Sequence, residues 1–153
     1  MKKILKLKFE GEDFGYVRLS KNGTFYGGGS ESDAVEFELI KYKGSNTRNY
    51  FKVAGTKGYL DFSLTSSILK VTTPWMSVEL SSICAWEMVG DELHAILGNK
   101  DTTKAVSRSA HDQETKALYA NTFIDGHHCE VTIMEATNKS VNSKKEELRH
   151  ALI

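Results

Sequence analysis

The chain has 153 residues, 40 % hydrophobic and 26 % charged, and its 20 Lys and Arg balance 20 Asp and Glu. That is the size and composition of one soluble globular domain with a real core, and zero net charge speaks against nucleic-acid binding, which calls for a basic domain. No apolar run reaches the roughly 18 residues that span a bilayer, so no membrane insertion is expected.

From the N-terminus, Leu5, Leu7 and Phe9 alternate with Lys6 and Lys8, as in a half-buried strand over residues 4–9. The same lysines interrupt any signal-peptide core. Cys84 and Cys129 are too few for a disulfide framework, so the expectation is a reducing, cytoplasmic setting. A turn at 11–13 leads into a strand over 16–20, and Asn22-Gly23 marks the next turn, into a third strand over 24–27. Gly27-Gly28-Gly29-Ser30 reads as a flexible loop. Val35, Phe37 and Leu39 then alternate with Glu36 and Glu38 in a fourth strand.

The cycle restarts with strands over 50–53, 59–63 and 68–72, followed by a longer connection carrying Pro74 and Trp75. Cys84, Trp86 and Met88, within a strand over 83–89, take the alternation held earlier by Val35, Phe37 and Leu39. A third cycle supplies a strand over 93–97, a degenerate one over 105–108, another over 117–120, and finally Cys129, Val131 and Ile133 in the same alternation. The stretch Gly58-Tyr59-Leu60-Asp61-Phe62-Ser63 repeats Gly15-Tyr16-Val17-Arg18-Leu19-Ser20 forty-three positions earlier (58 − 15). Such self-similarity points to copies of one supersecondary piece. Beyond 137 the pattern changes: Ser143 with Glu146 has capping-box spacing and Leu148 with Leu152 forms an i,i+4 pair, so a short C-terminal helix is expected over 143–153.

Three units of four strands suit a closed antiparallel barrel, because closure removes edge strands. The pattern resembles the β-trefoil, and within it the actin-crosslinking-like branch typified by fascin and hisactophilin, where strands such as Gly58-Tyr59-Leu60-Asp61-Phe62-Ser63 precede a turn and a short apolar strand. Val17 to Thr24 also looks like the fibroblast growth factors, which share that fold. The resemblance covers roughly residues 3–136. It implies an all-β, β-trefoil domain over 1–137 with a linker and helix over 138–153, and a non-enzymatic module binding a protein such as actin filaments.

Little catalytic chemistry is legible. His94 and His111 lie near Asp91 and Asp112, but no nucleophile motif accompanies them. His127 and Cys129 would share one face of a strand and His128 the other, and two ligands do not make a zinc site; neither a metal nor another cofactor is expected. Charge nominates Lys41, Lys43 and Arg48, crowded between the first two units and near Lys2 and Lys3 if the barrel closes there, as a footprint for an acidic partner. Met76, Val78 and Leu80 alternate as an extra strand would, and this segment is expected to fold back and bury its apolar side. An exposed Trp75 would instead anchor a protein contact or stack on a sugar, which keeps a carbohydrate-binding trefoil as the alternative. The repeated Gln-x-Trp signature of ricin-type lectins is absent, Gln113 being the only glutamine.

Overall fold

Period-two alternation produces strands almost wherever the pattern placed them. In the computed structural model, which describes residues 1–109, 114–123 and 126–136, twelve strands form one antiparallel sheet and the architecture is all-β. They are β1 (Lys2–Phe9), β2 (Glu12–Leu19), β3 (Phe25–Gly29), β4 (Phe37–Lys41), β5 (Arg48–Val53), β6 (Tyr59–Phe62), β7 (Leu69–Thr72), β8 (Ala85–Val89), β9 (Glu92–Leu97), β10 (Lys100–Arg108), β11 (Leu118–Asn121) and β12 (Glu130–Glu135). The helix expected over 143–153 lies outside the described residues.

The pairing has a recurring form. One edge of β1 is held by β12, while its other edge is divided between β4, at Lys2 and Lys3, and β2, at Lys6 to Phe9. Likewise β5 has β4 on one edge and shares the other between β8, at Arg48 and Asn49, and β6, at Lys52. Strand β9 pairs with β8 and β10, and its neighbour Asp91 accepts a hydrogen bond from the Val131 N–H of β12 at 2.7 Å. The hairpins β2–β3, β6–β7 and β10–β11 touch through the isolated bridges Thr24–Lys70, Tyr26–Ala117 and Ile68–Tyr119.

Between these strands lies the main core. Leu5, Leu7, Phe25, Phe37, Phe51 and Trp86 are fully buried in it, and Phe37 contacts Phe25 and Phe51 at ring-centroid distances of 5.9 and 5.6 Å. Val17 and Leu60, each two residues after a glycine, are both buried in it. Cys84 and Cys129 are free thiols in this same cluster. A second, smaller cluster sits to one side, built from Tyr42, Tyr50, Tyr59, Val78, Ile83 and Ile96.

Three local expectations are corrected. Gly27 to Gly29 belong to β3 rather than to a loop, because the backbones come too close for side chains: a Cβ on Gly15 would lie 2.5 Å from the Gly28 Cα, and one on Gly27 2.6 Å from the Phe14 ring. The segment after Pro74 is not a strand but a single 3₁₀ turn, Val78–Leu80. A strand would put 76, 78 and 80 on one side, whereas 3₁₀ geometry separates alternate residues, so Val78 turns inward and Leu80 outward. Strand β10 is longer than the expected 105–108, since backbone pairing to β9 and β11 defines it even where side chains are small.

The indole N–H of the buried Trp86 donates to the Leu60 carbonyl at 3.0 Å. Trp86→Phe leaves that acceptor unpaired and opens a gap. We expect it to lower the unfolding free energy, measured by urea titration, by about 1–3 kcal/mol, and a loss below about 0.5 kcal/mol would contradict this packing.

Candidate functional site

The connection from Thr73 to Cys84 is the longest irregular segment among the described residues before β8, and its local chemistry explains its path. Pro74 cannot donate to the ladder that β7 leaves. Serines then knit the 3₁₀ turn: the Leu80 N–H donates to the Ser77 carbonyl at 3.1 Å, the Ser81 hydroxyl to the Val78 carbonyl at 2.6 Å, and the Ile83 N–H to the Ser81 hydroxyl at 3.2 Å. Val78 and Ile83 anchor this strap on the tyrosine cluster, where Tyr42 and Tyr50 lie 5.3 Å apart and Tyr50 and Tyr59 6.2 Å apart, ring centre to ring centre. Burial pushes the Tyr50 and Tyr59 hydroxyls up, aided by Tyr42 and Glu79 at the first and Glu38 at the second, so both remain neutral donors near pH 7.

What the strap does not bury is its functional content. Trp75 is 98 % exposed, Met76 65 % and Leu80 75 %. The expectation that this segment buries its apolar side is therefore overturned for all but Val78 and Ile83. Each such side chain gains roughly 1.5–3 kcal/mol when removed from water, and three within six positions form a contiguous candidate contact.

Clefts open along the strap. One, of about 300 Å³, runs past Trp75 and carries the hydroxyls of Thr73, Ser77, Ser81 and Ser82. A second, of about 370 Å³, lies between Met76 and the pair Lys52 and Lys57. A third, of about 170 Å³, is bounded by Lys43, Glu79 and Ser82. The structure thus brings two of the nominated residues, Lys43 and Trp75, to clefts that share Ser81 to Ile83.

The other nominees stand differently. Arg48 is engaged locally: its guanidinium donates to the Asn99 carbonyl and side-chain oxygens at 2.8 and 2.9 Å and lies 3.4 Å from Glu87. Lys41 stands exposed three residues beyond Glu38, the partner of Lys2, about 10 Å along the strand. Lys2 faces Glu36 and Lys3 faces Glu135, so these cations do not gather into one patch. Lys52 and Lys57, which no sequence pattern nominates, line a cleft instead.

The histidines form a different arrangement from the expected one. His127 has φ 64°, which breaks the strand alternation before β12 begins, and its ring stacks on Phe9 at 5.9 Å while Cys129 enters the core. His94 pairs not with Asp91 but with Asp101 and Glu92, each at 3.0 Å, and His128 joins through Glu92 at 2.8 Å and the Asn121 carbonyl at 2.9 Å. His111 and Asp112 lie outside the described residues. Among the described residues no three His, Cys, Asp or Glu side chains are grouped so as to hold a metal ion. With both ring nitrogens engaged, His94 presents no open lone pair to a substrate. Burial pushes the Cys84 thiol well up, reinforced by Asp61, and that of Cys129 up to about 12 against the pull of Arg108, so neither is a thiolate nucleophile at neutral pH.

Neither protein-family models nor curated proteins yield a match to this chain.

The histidine network is pH-dependent. Burial would lower the His94 pKa, but its bonds to Glu92 and Asp101 outweigh this and raise it above 6.5; burial would raise Glu92, but bonds to His94 and His128 lower it below 4.5. The His94 contribution is therefore complete below 6.5 and lost as pH rises through the raised value, and the Glu92 contribution is present above 4.5 and lost as pH falls through the lowered one. The stability difference between the native chain and His94→Gln is expected to shrink from about pH 5.5 to about pH 8. Urea midpoints of both proteins across that range check it, and a constant difference contradicts the network.

Proposed function

We propose that the chain is a β-trefoil, non-enzymatic binding module of the cytoplasm, that the strap around Trp75 is its contact face, and that its partner is a protein. The trefoil reading is supported by the split edges of β1 and β5, by the bond from β12 to Asp91, and by the mutual bridges of the three hairpins, each in keeping with three like units around a barrel. No helix among the described residues is long and apolar enough to cross a membrane.

The observation that carries the binding reading is Trp75, almost wholly exposed beside Met76 and Leu80 on a strap pinned from beneath by Val78 and Ile83. A loop anchored through Val78 and Ile83 that holds a tryptophan in water has the composition and placement of an interface anchor. Actin filaments are the partner that the resemblance to fascin and hisactophilin implies, and fold analogy alone supports that identity. The accessible lysines Lys41 and Lys43 suit the rim of such an interface better than Arg48, whose charge is met by Glu87.

A carbohydrate ligand is the second reading. It is favoured by the serine- and threonine-lined cleft under Trp75, where the buried Thr72 hydroxyl has no hydrogen-bond partner among the described residues.

Co-sedimentation with actin filaments at low and moderate salt separates these. The protein-binding reading expects pelleting that weakens with salt and drops by at least about tenfold in Trp75→Ala, with a smaller loss in Lys41→Glu/Lys43→Glu. Unchanged pelleting of Trp75→Ala sinks the assigned face. Absence of pelleting together with sugar-induced quenching of Trp75 fluorescence moves the assignment to the glycan.

A further inference from the structure

We infer that the groove between Met76 and the pair Lys52 and Lys57 is the docking site for an acidic protein segment that carries an aromatic or large apolar side chain. This rests on the strap being the contact face and names the chemistry that the face receives.

The groove has two unlike walls. On one side stand Pro74 and Met76, continuous with the exposed Trp75. Opposite are Lys52, from β5, and Lys57, from the turn into β6. That turn is fixed by the Thr56 N–H and hydroxyl, which both donate to the Val53 carbonyl, at 3.1 and 2.9 Å, and by the Gly58 N–H, which donates to the Thr56 hydroxyl at 3.0 Å. The cation wall is thus held on ordered backbone. Lys57 makes no ion pair among the described residues, and Lys52 pairs with Glu38 at 4.0 Å. The one carboxylate lining the groove is Glu79, which also faces the cleft of Lys43. The lining thus holds two lysines and one carboxylate, a positive surplus on a chain whose total charge is zero.

An amphipathic occupant satisfies both walls. A carboxylate meets the ammonium groups while a neighbouring ring or aliphatic chain covers Met76 and Trp75, and about 370 Å³ has room for one or two side chains. A simple anion leaves the apolar wall wet. A bilayer surface is too flat to enter a groove whose cations lie across from its apolar wall, so an extended segment is the shape that fits.

The test uses the full chain and a fluorescein-labelled random copolymer of glutamate and tyrosine, read by anisotropy, beside polyglutamate of similar length and vesicles of phosphatidylcholine with phosphatidylserine. The copolymer is expected to bind more tightly than polyglutamate, and both Lys52→Glu/Lys57→Glu and Trp75→Ala to weaken it by at least about tenfold. Circular dichroism and the emission of buried Trp86 establish that the variants are folded, and Lys57→Ser, in an exposed turn, provides a milder change with a smaller loss of the same sign. Equal binding of the two polymers, copolymer binding indifferent to the lysine variants, or binding to vesicles alone would overturn the inference. Loss in Trp75→Ala with full retention in the lysine variants overturns the groove and leaves the strap as the contact face; retention in all variants removes both.

Discussion

The sharing of one strand edge between two neighbours is the constraint on which the rest depends. Because β1 gives its start to β4 and its end to β2 while β12 holds its other edge, the first and last described strands are neighbours in the sheet, and the Ala136 N–H closes onto the Lys2 carbonyl at 3.0 Å. Ile4, Leu5 and Leu7 are buried as a consequence. The same division at β5 sends β6 and β7 away from β8, and the strap that returns from β7 to β8 must cross the outer face of β5. It finds Tyr42, Tyr50 and Tyr59 there. Topology carries the strap over this cluster, its local hydrogen bonds shape it there, and Trp75 stands in water.

Charge follows the same logic. Some cations have a carboxylate at hand, Lys3 with Glu135 and Arg48 with Glu87 among them, and surface pairs of this kind contribute little net stability. They do remove charge from the surface that a partner meets. The Glu92 network acts in another way. With His94 and His128 it joins β9 to the segment leading into β12. Its bonds depend on one another's geometry, since Glu92 bonds both rings at once.

Much of the fold is legible in the sequence because alternation is a direct record of burial. Leu5 and Leu7, Phe37, Trp86 and Val131 all lie where period two puts them. The glycine run misleads because glycine serves both mobility and close approach, and only the partner backbone, Gly28 opposite Gly15, tells which. The strap misleads because a three-residue 3₁₀ turn has no signature distinct from a strand. Arg48 carries too much weight in sequence because charge is visible there without its neighbours, and Glu87 and Asn99 lie far along the chain. The Glu92–His94 pair has a signal, two residues apart and so on one face of a strand, but His128 and Asp101 are brought to it only by the fold. Lys52 and Lys57 have none, since nothing local sets them opposite Met76.

The two tryptophans allow contact at the strap to be measured in one cuvette, for Trp86 is wholly buried and Trp75 almost wholly exposed. Acrylamide quenching of the chain, alone and bound to filaments, resolves them. One readily quenched and one protected tryptophan are expected in the free chain, with the quenched one becoming protected in the complex. A Trp75 already shielded in the free chain, or equally open to acrylamide when bound, would contradict contact at the strap.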